Sequence, residues 1–280
     1  MRKNTLLALF VVIVGTLAVL AAGCGGGGGE QAATSTPPAA STGAAAQPAP
    51  QPAAGGAVKA LPSSSCENVE YGGTGQPDIL LASDLVRQGA DAPQNTQIVN
   101  AIRYILDQNK WTAGTHQVGY QSCDDSTAQA GKWDSGKCSQ NAQAYAGNDT
   151  LWTVIGTYNS GCAAIIIPVL NQAPGGGIAM MSPANTFLCL TVKAPICEPG
   201  EPDKYYPSGE RNYARVVVDD SWQGAAVASY MKQQGVKSVY ILNDKEAYGQ
   251  GVAENLRGAA KNVGIEIKGF EAWDPKQSNY

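Results

Sequence analysis

From about residue 77 the chain alternates short apolar runs with stretches whose apolar residues fall three and four apart, and that alternation leaves few folds open. Ile79-Leu80-Leu81-Ala82 is one such run, bounded by Pro77 and Ser83-Asp84. Ile98, Val99, Ile102, Ile105 and Leu106 then take helical spacing. The pattern recurs as Val118-Gly119-Tyr120, a helix over 138–147, Thr153-Val154-Ile155-Gly156, a helix from Ser160 through Leu170, and Ile178-Ala179-Met180-Met181. Later come Val216-Val217-Val218, a helix over 221–234 ending at Gly235, Val239–Leu242, a helix over 249–263 ending at Gly264, and Ile265-Glu266-Ile267. Apolar strands alternating with helices predict an α/β chain with doubly wound parallel sheets.

Residues 183–212 interrupt the alternation with Pro195, Pro199, Pro202 and Pro207 and two cysteines. They read as a long surface excursion, after which Tyr213 to Val218 crosses into a second lobe. The expected division is a first lobe over 76–212 and a second over 213–280.

The start of the chain has other compositions. Arg2 and Lys3 precede an apolar run from Leu6 to Ala22, and Leu20-Ala21-Ala22-Gly23-Cys24 resembles a bacterial lipobox. Residues 1–24 are therefore expected to be a secretory signal with Cys24 as the lipid anchor, a plain signal peptide being the alternative. Residues 25–58 hold one charge, Glu30, among Gly, Ala, Pro, Ser, Thr and Gln, too little apolar surface to offset ordering entropy. Residues 25–75 are expected to be a flexible tether and lead-in, reaching on the order of 40 Å.

Without Arg2 and Lys3, 17 basic residues face 23 acidic ones, a net charge of −6. No basic stripe is present, which argues against a nucleic-acid partner.

Besides Cys24 there are six cysteines, an even number that suggests disulfides in an exported chain, with fifteen possible connectivities. Cys189 and Cys197 share one irregular segment. Cys138 and Cys162 sit at adjacent strand-to-helix turns, and Cys66 and Cys123 remain. Buried free thiols are the alternative. No C-x-x-C occurs, so no metal site is expected. His116 is the only histidine, expected at the surface, which leaves little basis for a hydrolytic triad.

In doubly wound folds ligands bind beyond the carboxyl ends of the strands, so the informative loops begin at Ser83, Cys123, Gly156, Ser182 and Asn243. Asn159-Ser160-Gly161 opens a helix, where free N–H groups and the Ser160 hydroxyl could seat a carboxylate or Ser160 could simply cap. Thr186 follows the next strand and could bind a ligand or hold a turn. Gly249-x-Gly251 lacks the third glycine of a dinucleotide fingerprint, and no cofactor is expected. Asp124-Asp125 and Asp219-Asp220 are paired carboxylates, read as structural rather than as acid–base catalysts.

Taken together, the Ser83-Asp84 loop, Cys123-Asp124-Asp125-Ser126-Thr127, Val154-Ile155-Gly156 with Asn159-Ser160-Gly161, Ser182-Pro183-Ala184-Asn185-Thr186, Asp244-Lys245-Glu246-Ala247-Tyr248-Gly249 and Trp273-Asp274-Pro275 carry a resemblance. Over about 77–280 the chain resembles the branched-chain amino-acid binding proteins of ABC transporters, with the type I periplasmic-binding-protein fold. The resemblance implies two doubly wound lobes, the second incomplete, as in a C-terminally truncated fragment. It implies that Ser160, Ala184 and Thr186 hold a ligand's α-carboxylate and α-amino groups, and that Tyr248 closes over it from the second lobe. The first loop, Leu85-Val86-Arg87-Gln88-Gly89, lacks the family's aromatic pocket residue, and insertions lie around Trp133 and at 187–212.

The implied function is that of an extracytoplasmic, lipid-anchored solute-binding protein. It would carry a small amino acid or amide to an ABC permease, without covalent chemistry. A sensor lobe of the same fold coupled to signalling is the alternative, and an exported enzyme a more distant one.

Overall fold

The computed structural model describes residues 57–273. The proposed signal, Cys24 and most of the tether lie outside them. In chain order the elements are β1 (Ile79–Leu85), α1 (Ala92–Gln108), β2 (Thr112–Ala113), β3 (His116–Asp124), β4 (Ser126–Thr127), β5 (Lys132–Trp133), α2 (Ser135–Ala146), β6 (Leu151–Gly156), α3 (Ser160–Asn171), β7 (Ala179–Ser182), β8 (Tyr213–Arg215), α4 (Asp220–Gln233), β9 (Ser238–Asn243), α5 (Ala247–Asn262) and β10 (Glu266–Ala272). No helix among the described residues is long and apolar enough to cross a membrane.

The first lobe is a six-stranded sheet in the order β2-β3-β1-β6-β7-β8, parallel except for β2 at its edge. The chain runs from β1 to β3 on one side and then to β6 on the other, so strand order reverses at β1. Both faces are covered. Leu80, Ala82, Val154 and Met180 pack with Ala142, Tyr145, Ile166, Ile167 and Leu170 of α2 and α3. Ile79, Val118 and Tyr120 pack with Val99, Ile102 and Leu106 of α1 and with Trp111. Burying whole apolar runs on both faces is what the unbroken hydrophobic strands required.

The second lobe has the two parallel strands β9 and β10 and the helices α4 and α5. Its core is small, with Ala228, Ala260 and Ile265 buried and Met231, Val239 and Leu256 packed against them.

Several sequence expectations change. The lead-in is expected to run to residue 75, but residues from Val58 onward already pack on the first lobe. The Leu61 amide donates to Gln121 Oε1 at 2.6 Å, and Glu70 bridges Tyr120 in antiparallel fashion. Arg103 of α1 holds Glu67 at 2.9 Å and Glu70 at 2.6 Å. These contacts are specific and long-range, so local composition does not display them.

Val216–Val218 is not a strand. The strand is Tyr213–Arg215, which extends the first sheet beside β7. Tyr213 is buried and its hydroxyl meets Asn185 Oδ1 at 3.1 Å, whereas Val216 and Val218 are 68% and 64% exposed. The crossing to the second lobe therefore comes after Arg215. His116 is not on the open surface either. It starts β3, with Nδ1 3.2 Å from Asp78 Oδ2 and its ring 4.6 Å from that of Trp152.

Three disulfides join Cys66 to Cys123, Cys138 to Cys162 and Cys189 to Cys197, with Cα separations of 3.9, 5.6 and 5.5 Å. The second links α2 to α3, and the third closes a loop within the excursion.

Candidate functional site

The carboxyl ends of β6 and β7 build the centre of the site. Ser160 is the first residue of α3 and is buried. Asn159, at the N-cap, makes no side-chain cap, so the N–H groups of the first turn have no capping oxygen. The Ser160 hydroxyl accepts from the Phe187 amide at 3.3 Å.

That contact is held by a web between the two loops. Ser182 Oγ donates to Thr157 O at 2.9 Å and accepts from the Ala184 and Asn185 amides at 3.1 and 2.8 Å. Asn185 Nδ2 donates to Tyr158 O at 3.1 Å. Arg215 of β8 donates to Phe187 O at 2.9 Å and also binds Thr191 Oγ1. Ser160, Ala184 and Thr186 are thus brought together on the first lobe. The Thr186 hydroxyl is buried without a hydrogen-bond partner.

Tyr248 comes from the second lobe. It is the second residue of α5, 44% exposed, and its hydroxyl receives Gln223 Nε2 at 3.2 Å. Across from it stands Tyr158, whose hydroxyl donates to Gln94 Oε1 at 2.9 Å. Burial, then the charge of Asp91 and neighbouring Tyr248, pushes the Tyr158 phenol upward.

Asp220 differs from its neighbour Asp219 in a way the doubled Asp does not display. Of the Asp219-Asp220 pair only Asp219 caps, accepting from the Ser221 amide at 3.0 Å. Asp220 is fully buried, and neither of its carboxylate oxygens has a hydrogen-bond partner. Its amide donates to Thr186 O at 2.9 Å, which fixes it beside the Thr186 hydroxyl, close to it but outside bonding geometry. Burial pushes its pKa up to about 6, with Thr186 and Arg215 pulling the other way. Opposite, a methyl group on Gly251 of α5 would lie 2.7 Å from Asp220 Oδ2, so only glycine admits this approach. A buried carboxylate without a partner is expensive unless a cation arrives. The sequence signal was the doubled Asp at a helix start, where one residue suffices as a cap.

The other acidic pair behaves similarly. Asp124 accepts from the Arg87 amide at 3.0 Å and Gln88 Nε2 at 2.7 Å, shaping the loop after β1. Asp125 is buried with both oxygens unpartnered, and burial, then Asp84 and Asp124, push its pKa up. Asp84 receives Asn141 Nδ2 at 2.8 Å and the Tyr145 hydroxyl at 2.9 Å, yet burial still raises it to about 6. Asp125 lies with Cys138 and Cys162 at metal-ligand spacing, but those sulfurs form a disulfide and offer no thiolate.

A separate cavity of about 230 Å³ lies between the 187–205 excursion and α5, lined by Phe187, Ile196, Glu198, Tyr205 and Gln250 among others. Of its three carboxylates, Glu201 and Glu254 are already paired with Lys204 and Arg257.

No protein-family model matches the chain. Leu/Ile/Val-binding protein homolog 3 of Brucella melitensis is 26% identical over 133 residues, covering 47% of this chain and 31% of that protein. Leu/Ile/Val-binding protein BraC3 of Rhizobium johnstonii is 25% identical over 211 residues, covering 74% of this chain and 51% of its own length. The chain spans about half, or less, of the length of these curated relatives.

The leucine-binding protein LivK of Thermotoga maritima superposes with a TM-score of 0.56 at 19% identity, over 72% of this chain and 50% of that one. A solute-binding protein of an ABC transporter from Rhodopseudomonas palustris, in complex with 3,4-dihydroxybenzoic acid, gives 0.56 at 17%, over 70% and 47%. The fold is therefore that of the type I periplasmic binding proteins, and the resemblance to Leu/Ile/Val-binding proteins holds. Both curated relatives are named as binding proteins, not as enzymes.

Proposed function

We propose that this chain is the ligand-capturing part of a solute-binding protein of an ABC importer. The ligand is a small α-amino acid, with the branched-chain type first. One observation carries the reading: Ser160, Thr186 and Asp220 converge from three strand ends and both lobes, with the Thr186 hydroxyl and the Asp220 carboxylate buried and unpartnered. An amino acid supplies what each lacks. Its carboxylate would accept from the α3 N-terminus and the Ser160 hydroxyl. Its ammonium would donate to Asp220, to Thr186 and to backbone carbonyls near Ala184. Tyr248 would close over it from α5.

The names of the relatives support this ligand class. The aromatic acid held by the Rhodopseudomonas palustris protein supports the carboxylate end of the site more than the ammonium end. In the same reading Cys24 carries the lipid anchor, the protein works outside the cytoplasm, and a permease receives the ligand.

Titration calorimetry with L-leucine and with benzoate tests the reading. Heat with L-leucine, lost by about tenfold or more in affinity in Ser160→Ala, is the expected result. Binding of benzoate alone would leave Asp220 without a role and remove the amino-acid assignment. No heat with either would remove the site.

A further inference from the structure

The β4–β5 hairpin, which had no predicted role, is built into the first lobe and grips the second. The Gly131 amide donates to Thr127 O across its turn and the Asp134 amide to Asp125 O at its base, each at 2.9 Å. Ser126 Oγ accepts from the Gln88 amide at 3.1 Å, fixing the hairpin to the loop after β1. From the far strand Lys132 Nζ pairs with Glu246 Oε1, and the Trp133 indole N–H donates to Glu246 Oε2 at 3.0 Å. Glu246 is the N-cap residue of α5, and its own amide is held by Asp244 Oδ1 at 3.0 Å. Both of its carboxylate oxygens are therefore committed to the other lobe. The pair is largely shielded, with side-chain exposures of 34% for Lys132 and 23% for Glu246. Shielding and a second donor make it stronger than an exposed ion pair.

The same indole touches the ligand seat. A methyl group on Gly161, the second residue of α3, would lie 2.6 Å from Trp133 Cζ2. One ring thus lies against the N-terminus of α3 while its N–H holds the N-cap of α5.

We propose that Lys132, Trp133 and Glu246 form an interlobe latch that holds the cleft closed, and that Trp133 is a positioning residue linking closure to occupancy of the α3 seat. The link to occupancy rests on the amino-acid reading above; the latch does not. Closure worth one charge-assisted hydrogen bond shifts the open–closed balance about tenfold.

Hydrogen exchange on the full chain, without added ligand, tests the latch. In Glu246→Gln and Lys132→Met, amides of the hairpin at 127–133 and of α5 at 250–253 should exchange about tenfold faster, with Ile79–Leu85 unchanged. Unchanged exchange at both places would overturn the latch. So would equal acceleration in Ile79–Leu85, which reports general destabilisation. In Trp133→Phe, which keeps a ring but removes the N–H, L-leucine should dissociate about tenfold faster at an unchanged association rate. Unchanged dissociation from a protein that binds L-leucine would overturn the link. If the wild type does not bind L-leucine, the link falls with the amino-acid reading, and the exchange result alone judges the latch.

Discussion

The two lobes use the same alternation of strand and helix but stand on very different cores. In the first, β1 is buried at six of its seven positions, and two helical layers cover the sheet. In the second, β9 has Tyr240 and Leu242 at 58% and 62% exposure, and the buried apolar residues are Ala228, Ile241, Ala253, Ala260 and Ile265. Pattern alone does not distinguish these strands, because hydrophobic burial depends on what is laid against each face. The proposed site straddles that difference. Ser160 and Thr186 sit on the well-packed lobe, and Asp220 and Tyr248 on the other.

The largest effect should come from the first core. Ile166→Ala removes a fully buried side chain and should cost about 2–5 kcal/mol in urea unfolding. A loss below about 1 kcal/mol would mean that the first lobe does not dominate stability.

Next is the buried carboxylate beneath the first sheet's carboxyl edge. Asp84 rises from 3.8 to about 6 through burial. A carboxylate whose folded pKa is raised favours the folded state at low pH and loses that contribution as pH rises from about 4 through about 6. Asp84→Asn keeps an acceptor for Asn141 and Tyr145. Its stability relative to wild type should therefore increase across that window by on the order of 2–3 kcal/mol and stay level above it. A flat difference would remove the burial argument.

Asp220, the proposed ammonium partner, carries the smaller counterpart in the second lobe. Its pKa of about 6 means that the ammonium partner is fully available only above that pH. Affinity for L-leucine should fall roughly tenfold per pH unit below about 6, and Asp220→Asn should lose both affinity and this slope. Persistence of the slope in the variant would place the titrating group elsewhere.

The smallest effect belongs to Leu242→Ala, within about 0.5 kcal/mol in the same unfolding measurement, because the side chain is already in water. A cost like that of Ile166→Ala would show that β9 is covered in solution, and the contrast between the lobes would dissolve.

Much of the fold was legible because period and punctuation are local. Leu80, Val154 and Met180 announced buried strands, and Gly235 and Gly264 announced helix ends. The errors arose where contact, not pattern, decides. Val216-Val217-Val218 looks more strand-like than Tyr213-Ala214-Arg215, but the Tyr213 hydroxyl and the Arg215 guanidinium find partners in the excursion and neighbouring loop, so pairing occurs there. Leu61 and Cys66 looked like lead-in, yet their partners lie 60 and 57 residues away. In the proposed site, strand-end position marked Ser160 and Thr186 as candidates, each with a capping or turn role as the alternative, and Ala184 came only with the family resemblance. Asp220 was hidden by its likeness to a cap, and Trp133 by lying in an insertion.

By itself the sequence determined the parallel α/β alternation, the loops at which a ligand could bind and the even set of six cysteines, since these follow from spacing along the chain. Only the tertiary structure decided which Asp of each pair is left without a partner, which strand extends the first sheet and which side chains bridge the lobes. Desolvation and hydrogen bonding between residues 27 to 114 apart fix those outcomes, and no local pattern encodes them.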